Sequence, residues 1–528
     1  VRPPRSLAGG LLGAWGAALL AACFSSPPPT APGPPASSAA PAAAPVSLRL
    51  LYTSDEHGWI APVTEKGKAR GGLAELLARW KVHERHCVPA AEETCEGAST
   101  VALSGGDNWT GPALSSYFRG EPAAEALRAM GYAASALGNH ELDFGRESFE
   151  KNARLQGIPY LGANVRPQAE EGGVARSFLL VRRQGVTVGV VGLSTRETPR
   201  VGLRDNYKGL DFGDEEEALA RVIPQVYGAG ADAVVVIGHV CAAELRPIVA
   251  RHPEWRLGFV GGGHCHRSVL DQVFATPIVE PGSFLQKYAR VTLVIDPQRP
   301  SRERVLSSRA ELVDLAYPEA ERPPVDPDEA LTRLVARWQK KADEALGEII
   351  GHVGEDLDPD TPPLVNFLTD RWRQATGADV VILNRFGTRQ SIPKGPITLG
   401  SIYSVLPFNN QLVTVRITGA QLVQNLDCCR GHVSGVKRRL DGAWLLADGR
   451  PIDSAARYAV VGTDYTYFGG SGFLFEKQDP SPSFGEDWRL PLVRWFRENP
   501  TSPGQGIERF LDREDRAPDP AKKKGGRR

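Results

Sequence analysis

At 528 residues, 41% of them hydrophobic and 23% charged, the chain is too long for one ordinary core and has the make-up of a soluble globular protein, so two sizeable domains with extensions are expected. Lys+Arg and Asp+Glu both number 62. A formal charge of zero excludes the basic excess that holds a nucleic-acid polymer, and no internal repeat points to a solenoid.

The chain opens with Arg2 and Arg5 ahead of an apolar, Ala- and Gly-rich run over residues 7–22, the order of a secretory leader and too short for a membrane span. The run ends Leu20-Ala21-Ala22-Cys23, so residues 1–23 read as a bacterial lipoprotein signal with Cys23 as the lipidation site. The alternative is a plain leader with an incidental cysteine. A Pro/Ala/Ser-rich tether over residues 24–45 follows and would hold a domain off a membrane, at the periplasmic or cell-surface side.

From residue 46 to about 322, apolar β-type runs alternate with helical stretches, the pattern of a layered α/β domain. The runs are 48–53, 101–104, 133–137, 188–193, 233–237 and 257–260, several of them apolar at nearly every position, as in strands covered on both faces. Five are followed by residues with metal chemistry: Asp55-Glu56-His57, Gly105-Gly106-Asp107-Asn108, Gly138-Asn139-His140-Glu141, Gly238-His239 and Gly262-Gly263-His264-Cys265-His266. One histidine after a strand is usually structural or surface-bound. Five such endings at the carboxyl ends of strands, where an α/β fold gathers its site, are expected to converge.

A charged, Pro-rich stretch then leads into one amphipathic connecting helix within residues 323–350, with Asp326 read as its N-cap and Pro327 as its first residue. A second, α+β domain is expected over 351–515, and residues 516–528, with Lys522-Lys523-Lys524 and Arg527-Arg528, read as a solvated basic tail. Among seven cysteines, Cys87 and Cys95 bracket a short polar loop and are the expected bridge. Cys428 and Cys429 are adjacent and bridge only with strain, so separate packed thiols are an equal expectation. Cys241 and Cys265 lie beside the candidate metal residues and are not counted as ligands.

The five loops resemble those of the calcineurin-like metallophosphoesterases. Their order, with the second domain, resembles the 5′-nucleotidase family over residues 48–475. The resemblance implies a four-layer sandwich of two β-sheets flanked by helices, followed by the α+β domain. It also implies two divalent cations, Zn, Mn, Fe or Co: Asp55, His57, Asp107 and His266 would hold one, Asp107, Asn139, His239 and His264 the other, with Asp107 bridging. Imidazole and carboxylate donors suit such ions, and the lack of thiolates in the set argues against a closed structural zinc site. His140 is implied to protonate the leaving oxygen or stabilise the transition state, oriented by Asp143. Glu141 is read as structural, with Asn108 and Glu56 behind the ligands.

In the second domain, Gly377 to Asn384, Arg389, Leu406-Pro407-Phe408-Asn409-Asn410 and Tyr465 to Phe473 carry the same resemblance. It implies that Phe408 and Tyr465 sandwich a nucleobase, Asn384 hydrogen-bonds it and Arg389 holds a phosphate. Arg385-Phe386-Gly387-Thr388 replaces a glycine-rich loop of the family, and Ser471 stands in place of an aspartate that grips ribose. The implied activity is hydrolysis of extracytoplasmic nucleotide phosphoesters. The alternatives are a thiosulfohydrolase of sulfur oxidation, specificity for cyclic phosphodiesters or UDP-sugars, and a non-catalytic nucleotide-binding surface protein.

Overall fold

A computed structural model of the chain describes residues 44–518 apart from 66, 90–93, 169–173, 319 and 322. Cys23, its leader and most of the basic tail lie outside the described residues. No helix among the described residues is long and apolar enough to cross a membrane.

Two six-stranded sheets face each other. One is ordered Val305–Asp314, Lys287–Ile295, Val46–Thr53, Thr100–Ser104, Tyr132–Ala136 and Tyr160–Leu161; the other Ser268–Val273, Thr276–Pro281, Phe259–Gly261, Ala233–His239, Val186–Ser194 and Phe178–Arg183. Alternation along each strand sorts its side chains between layers. Leu48, Leu50 and Tyr52 join Val188, Val190, Val235, Ile237 and Phe259 between the sheets. Leu51 and Ala102 turn the other way, onto the helices Gly72–Arg79 and Glu121–Met130. Val234 and Val236 do the same beneath Glu215–Gly228 and Ala242–Arg251. The result is the expected four-layer sandwich.

All six expected runs are strands, and their inner members pair in parallel. The edge strands Ser268–Val273, Phe178–Arg183 and Val305–Asp314 pair antiparallel and were not legible as apolar runs. Each is partly exposed, with polar or charged residues such as Gln272, Arg182, Arg309 and Glu311 at solvent positions, which weakens the apolar pattern.

The connecting helix spans Glu329–Leu346 and is capped by Asp328, not Asp326. The Asp328 carboxylate accepts from Leu331 N at 3.0 Å and from Lys81 Nζ at 2.7 Å, so the start is set by a tertiary ion pair as well as a local cap. Leu331, Val335, Trp338 and Ala342 pack into the helix layer of the first sheet.

The C-terminal domain holds a mixed five-stranded sheet, ordered His432–Ser434, Val380–Leu383, Arg457–Thr463, Gln411–Thr418 and Ser483–Asp487. Helices Pro362–Thr376 and Leu490–Glu498 cover one face and Gly419–Cys429 the other, an α+β layout as expected. The expected tail begins too early. Arg516 pairs with Asp370 at 2.7 Å and with Asp512 at 2.8 Å, and its carbonyl accepts from Arg438 N, which ties it to this domain.

Cys87 and Cys95 are bridged as expected, and Cys241–Cys265 is a second disulfide. Cys428 and Cys429 are bridged to each other rather than packed as separate thiols. The helix ends at this pair and Arg430 turns left-handed, so the chain leaves helical geometry where the bridge forms.

Candidate metal centre and substrate cavity

Parallel strands bring their carboxyl ends to one side, and the loops there converge. Asp55 and His57 follow Val46–Thr53, Asp107 follows Thr100–Ser104, Asn139 and His140 follow Tyr132–Ala136, His239 ends its strand, and His264 and His266 follow Phe259–Gly261. Asp55, His57, Asp107, His264 and His266 all have φ between 47° and 71°. A left-handed backbone at five non-glycine residues costs energy and persists where surrounding structure over-determines it. Close approach adds its own demand. A Cβ on Gly138 would lie 2.1 Å from Asp107 Oδ1, and one on Gly263 would lie 2.2 Å from Ser54 Oγ.

The imidazoles are aimed from behind. His57 Nδ1 lies 2.8 Å from the Thr110 carbonyl and His239 Nδ1 lies 2.9 Å from that of Gly105. A proton on each Nδ1 leaves the Nε2 lone pair facing inward, the usual arrangement behind a metal-binding histidine. His239 Nε2 sits 3.0 Å from Asp107 Oδ2 and 3.0 Å from Asn139 Oδ1. His57 Nε2 lies 3.1 Å from His266 Nε2 and 3.7 Å from Asp107 Oδ2, and His266 Nε2 lies 3.4 Å from Asp55 Oδ1.

Asp55, His57 and His266 form one group compact enough for a cation, and Asp55, Asp107 and His239 form another. This crowd of buried oxygen and nitrogen lone pairs fits a divalent cation. Asp55 belongs to both groups, while Asp107 Oδ2 faces both His57 and His239. The His264 ring is 5.2 Å from that of His239 but lies outside the two compact groups, and its backbone N donates to Asp55.

Charge follows geometry. Burial would raise Asp107, yet His239, His140 and His57 hold it well below the carboxylate range. Burial pushes His57 well down and His264 down to about 4. His239, despite its own burial, is pushed up to about 10 by Asp107 and Asp55. Asp107 and Asp55 thus favour positive charge beside His239, carried by a proton on Nε2 that a cation would replace.

Glu141 stitches the loops together. Its carboxylate accepts from the backbone N of Asp107 (3.0 Å), Asn108 (2.7 Å) and Gly138 (2.8 Å), and from Asn108 Nδ2 at 2.9 Å. Glu56 accepts from Thr53 and Ser104. His140 Nδ1 meets Asp143 Oδ2 at 2.7 Å, leaving its Nε2 4.0 Å from Asp107 and 3.5 Å from Arg389 Nη2. Burial lowers His140, but Asp143 and Asp107 outweigh it and raise its pKa.

One cavity of about 430 Å³ is lined both by Asp107, Asn139, His140 and His264 and by Asn384, Arg389, Phe408 and Tyr465. Phe408 stacks on His140 with centroids 5.4 Å apart and planes at 22°, and Arg389 lies 5.4 Å from the Phe408 centroid. The Tyr465 hydroxyl meets Ser471 Oγ at 3.2 Å, and Asn384 Nδ2 donates to the Arg385 carbonyl. Phe386 also lines the cavity, 69% exposed with φ 62°, its N held by the Asp360 carboxylate at 3.2 Å. In the sequence it stands only as a departure from a glycine-rich loop. Leu203, on the opposite wall, carried no signal at all.

Residues 350–477 match the family model described as the 5′-nucleotidase C-terminal domain. Endonuclease YhcR of Bacillus subtilis is 23% identical over 453 residues, covering 80% of this chain and 36% of that protein. The chain thus spans little more than a third of that relative. A 5′-nucleotidase of Vibrio cholerae is 25% identical over 475 residues, covering 80% and 83%. Among solved structures, the 5′-nucleotidase precursor of Thermus thermophilus superposes with a TM-score of 0.73 at 22% identity, covering 86% of this chain and 97% of that one. The sulfate thiohydrolase SoxB of the same organism follows at 0.67 and 18%, covering 86% and 94%. Residues 350–477 thus match the 5′-nucleotidase C-terminal domain, the chain is similar along most of its length to 5′-nucleotidases, and it shares the fold of the solved ones.

Proposed function

We propose that the chain is an exported, 5′-nucleotidase-like phosphohydrolase, with a metallophosphatase domain over residues 46–322 and a substrate domain over 351–515. Export and a lipid anchor at Cys23 rest on the leader sequence. The observation that carries the reading is the shared cavity: inward-facing imidazole and carboxylate donors on one wall, an arginine and aromatic rings on the other.

Asp55, His57, Asp107, Asn139, His239, His264 and His266 would hold two divalent cations, with Asp107 between them. Bound there, such ions would supply Lewis-acid charge to phosphoryl oxygens and would lower the pKa of a nearby water. The rest falls to the chain's own groups. His140, fixed through Nδ1 by Asp143, presents a protonated Nε2 to the leaving oxygen. Arg389, beside His140, pairs with the phosphate, and its planar fork suits that task. Tyr465 and Phe408 offer faces to a base, with Asn384 at its edge. His140 and Arg389 both lie against Phe408, whereas the exposed Phe386 lines the same cavity at its rim and offers a further face.

The test is phosphate release from a panel of nucleoside monophosphates, diphosphates, nucleotide sugars and cyclic phosphodiesters. Release from at least one nucleotide, abolished by chelation and restored by divalent metal, is expected. Binding without turnover would favour the non-catalytic reading.

A further inference from the structure

Two of the loops that carry candidate metal ligands are tied to each other by bonds that neither strand needs for its own formation. Cys241 follows His239 by two residues, and Cys265 stands between His264 and His266. Their disulfide joins the loops with Cα atoms 5.3 Å apart. Two polar ties run alongside. Gly263 N donates to the Val240 carbonyl at 3.0 Å, and buried Glu280 accepts from Ala242 N at 3.1 Å and from Arg267 N at 2.7 Å.

The two ends of the bridge differ. Cys241 is buried and stands as the N-cap residue of the helix Ala242–Arg251, which gives it a firm footing. Cys265 is exposed at the cavity wall, on a turn whose two histidines are both left-handed, with φ 71° at His264 and 54° at His266. The strained turn is therefore moored to the rigid end. Ligand atoms must converge to within about 0.5 Å to share a cation, a tolerance that an unmoored, left-handed turn does not keep.

We propose that the Cys241–Cys265 disulfide is a positioning element of the metal centre, holding the His264–His266 turn in its left-handed form at a fixed distance from His239. It acts through the imidazoles and touches neither cation nor substrate. The proposal rests on the metal-centre reading above and adds that metal retention depends on a bridge outside the ligand set. A bridge that only stabilised the fold would change the melting temperature and leave the affinity of the folded protein alone.

The experiment is zinc affinity of the full chain, measured by competition with a chromophoric chelator at a temperature where circular dichroism shows every variant folded. Changing Cys241→Ser and Cys265→Ser together is expected to weaken zinc binding about 10–100-fold, the usual range for groups that orient metal ligands. The pair Cys87→Ser and Cys95→Ser, which opens the other loop-closing bridge, is expected to leave it unchanged. Should the first pair not fold, the folded wild type is reduced instead with a phosphine. The S–S bond breaks, phosphorus gains an oxygen from water, and the two protons of that water end on the two thiols. Alkylation of an aliquot and mass spectrometry confirm that Cys241 and Cys265 are open, and zinc affinity is read after the phosphine is removed. Undiminished affinity with this bridge open would overturn the proposal. A wild type that takes up no zinc, manganese, iron or cobalt would overturn the metal reading itself, which is a different result.

Discussion

On the metal wall of the cavity Asp107, His57 and His239 are held from several directions, whereas on the opposite wall Tyr465 and Phe386 rest on fewer contacts. Asp107 has its oxygens against His140 N and His239 and its own N on Glu141; His57 and His239 are pinned by backbone carbonyls. Tyr465, by contrast, is half-exposed with its hydroxyl on Ser471, and Phe386 stands 69% exposed at the rim. Preorganised groups aimed at developing charge are what chemistry requires, and adaptable faces are enough for binding a base. On the function proposed above, the first wall would set the reaction type and the second the choice of substrate.

The comparison breaks most visibly at Asp107. Asp107→Ala is expected to bring activity to background and to deplete metal at both sites, because its Oδ2 faces both His57 and His239. Metal analysis and phosphate release check this together; two metals per chain with near-normal turnover would remove Asp107 from the bridge.

Next in size is His140→Asn, with a rate loss of about 10²–10⁴-fold and metal content intact, the signature of a lost proton donor. Metal loss in this variant would move His140 into the ligand set.

The second wall should respond differently. Tyr465→Ala is expected to raise KM for nucleotides about tenfold to a hundredfold, as loss of one stacking face does, while hydrolysis of a small aryl phosphate is unchanged. An equal loss on both substrates would place Tyr465 in the catalytic wall.

The smallest effect is one of pH. Asp143 and Asp107 raise His140, so its acid form survives to higher pH than in an ordinary imidazole, and the rate falls as pH climbs through that raised value. Removing the Asp143 charge lowers the His140 pKa, and Asp143→Asn therefore moves the alkaline limb of the pH–rate profile to lower pH, with least change at the acid end. A limb that stays in place would free His140 from the role of acid.

How much of this was legible in the sequence follows the same division. The loops after the inner parallel strands were readable because glycines and ligand-type residues sit directly after apolar runs, so local order predicts spatial convergence. Asp55, His57, Asp107, Asn139, His239 and His266 do come together, with His264 at their edge. The edge strands were not readable, since half their side chains face solvent, and the helix start at Asp328 depends on Lys81, far away in the chain. The rim was the hardest. Phe386, Arg385 and Leu203 line one cavity only through tertiary packing, and no spacing in the chain announces it. The Cys241–Cys265 bridge joins residues 24 apart whose loops follow neighbouring parallel strands, a proximity that no local spacing signals.

The most direct test of the whole account is to titrate the metal-depleted chain with zinc or manganese while following both bound metal and phosphate release from a nucleotide. The account predicts two ions per chain, with turnover rising as the second binds. Phosphate release from the fully metal-depleted chain, or a saturated chain that holds two ions and releases none from any nucleotide, would contradict it.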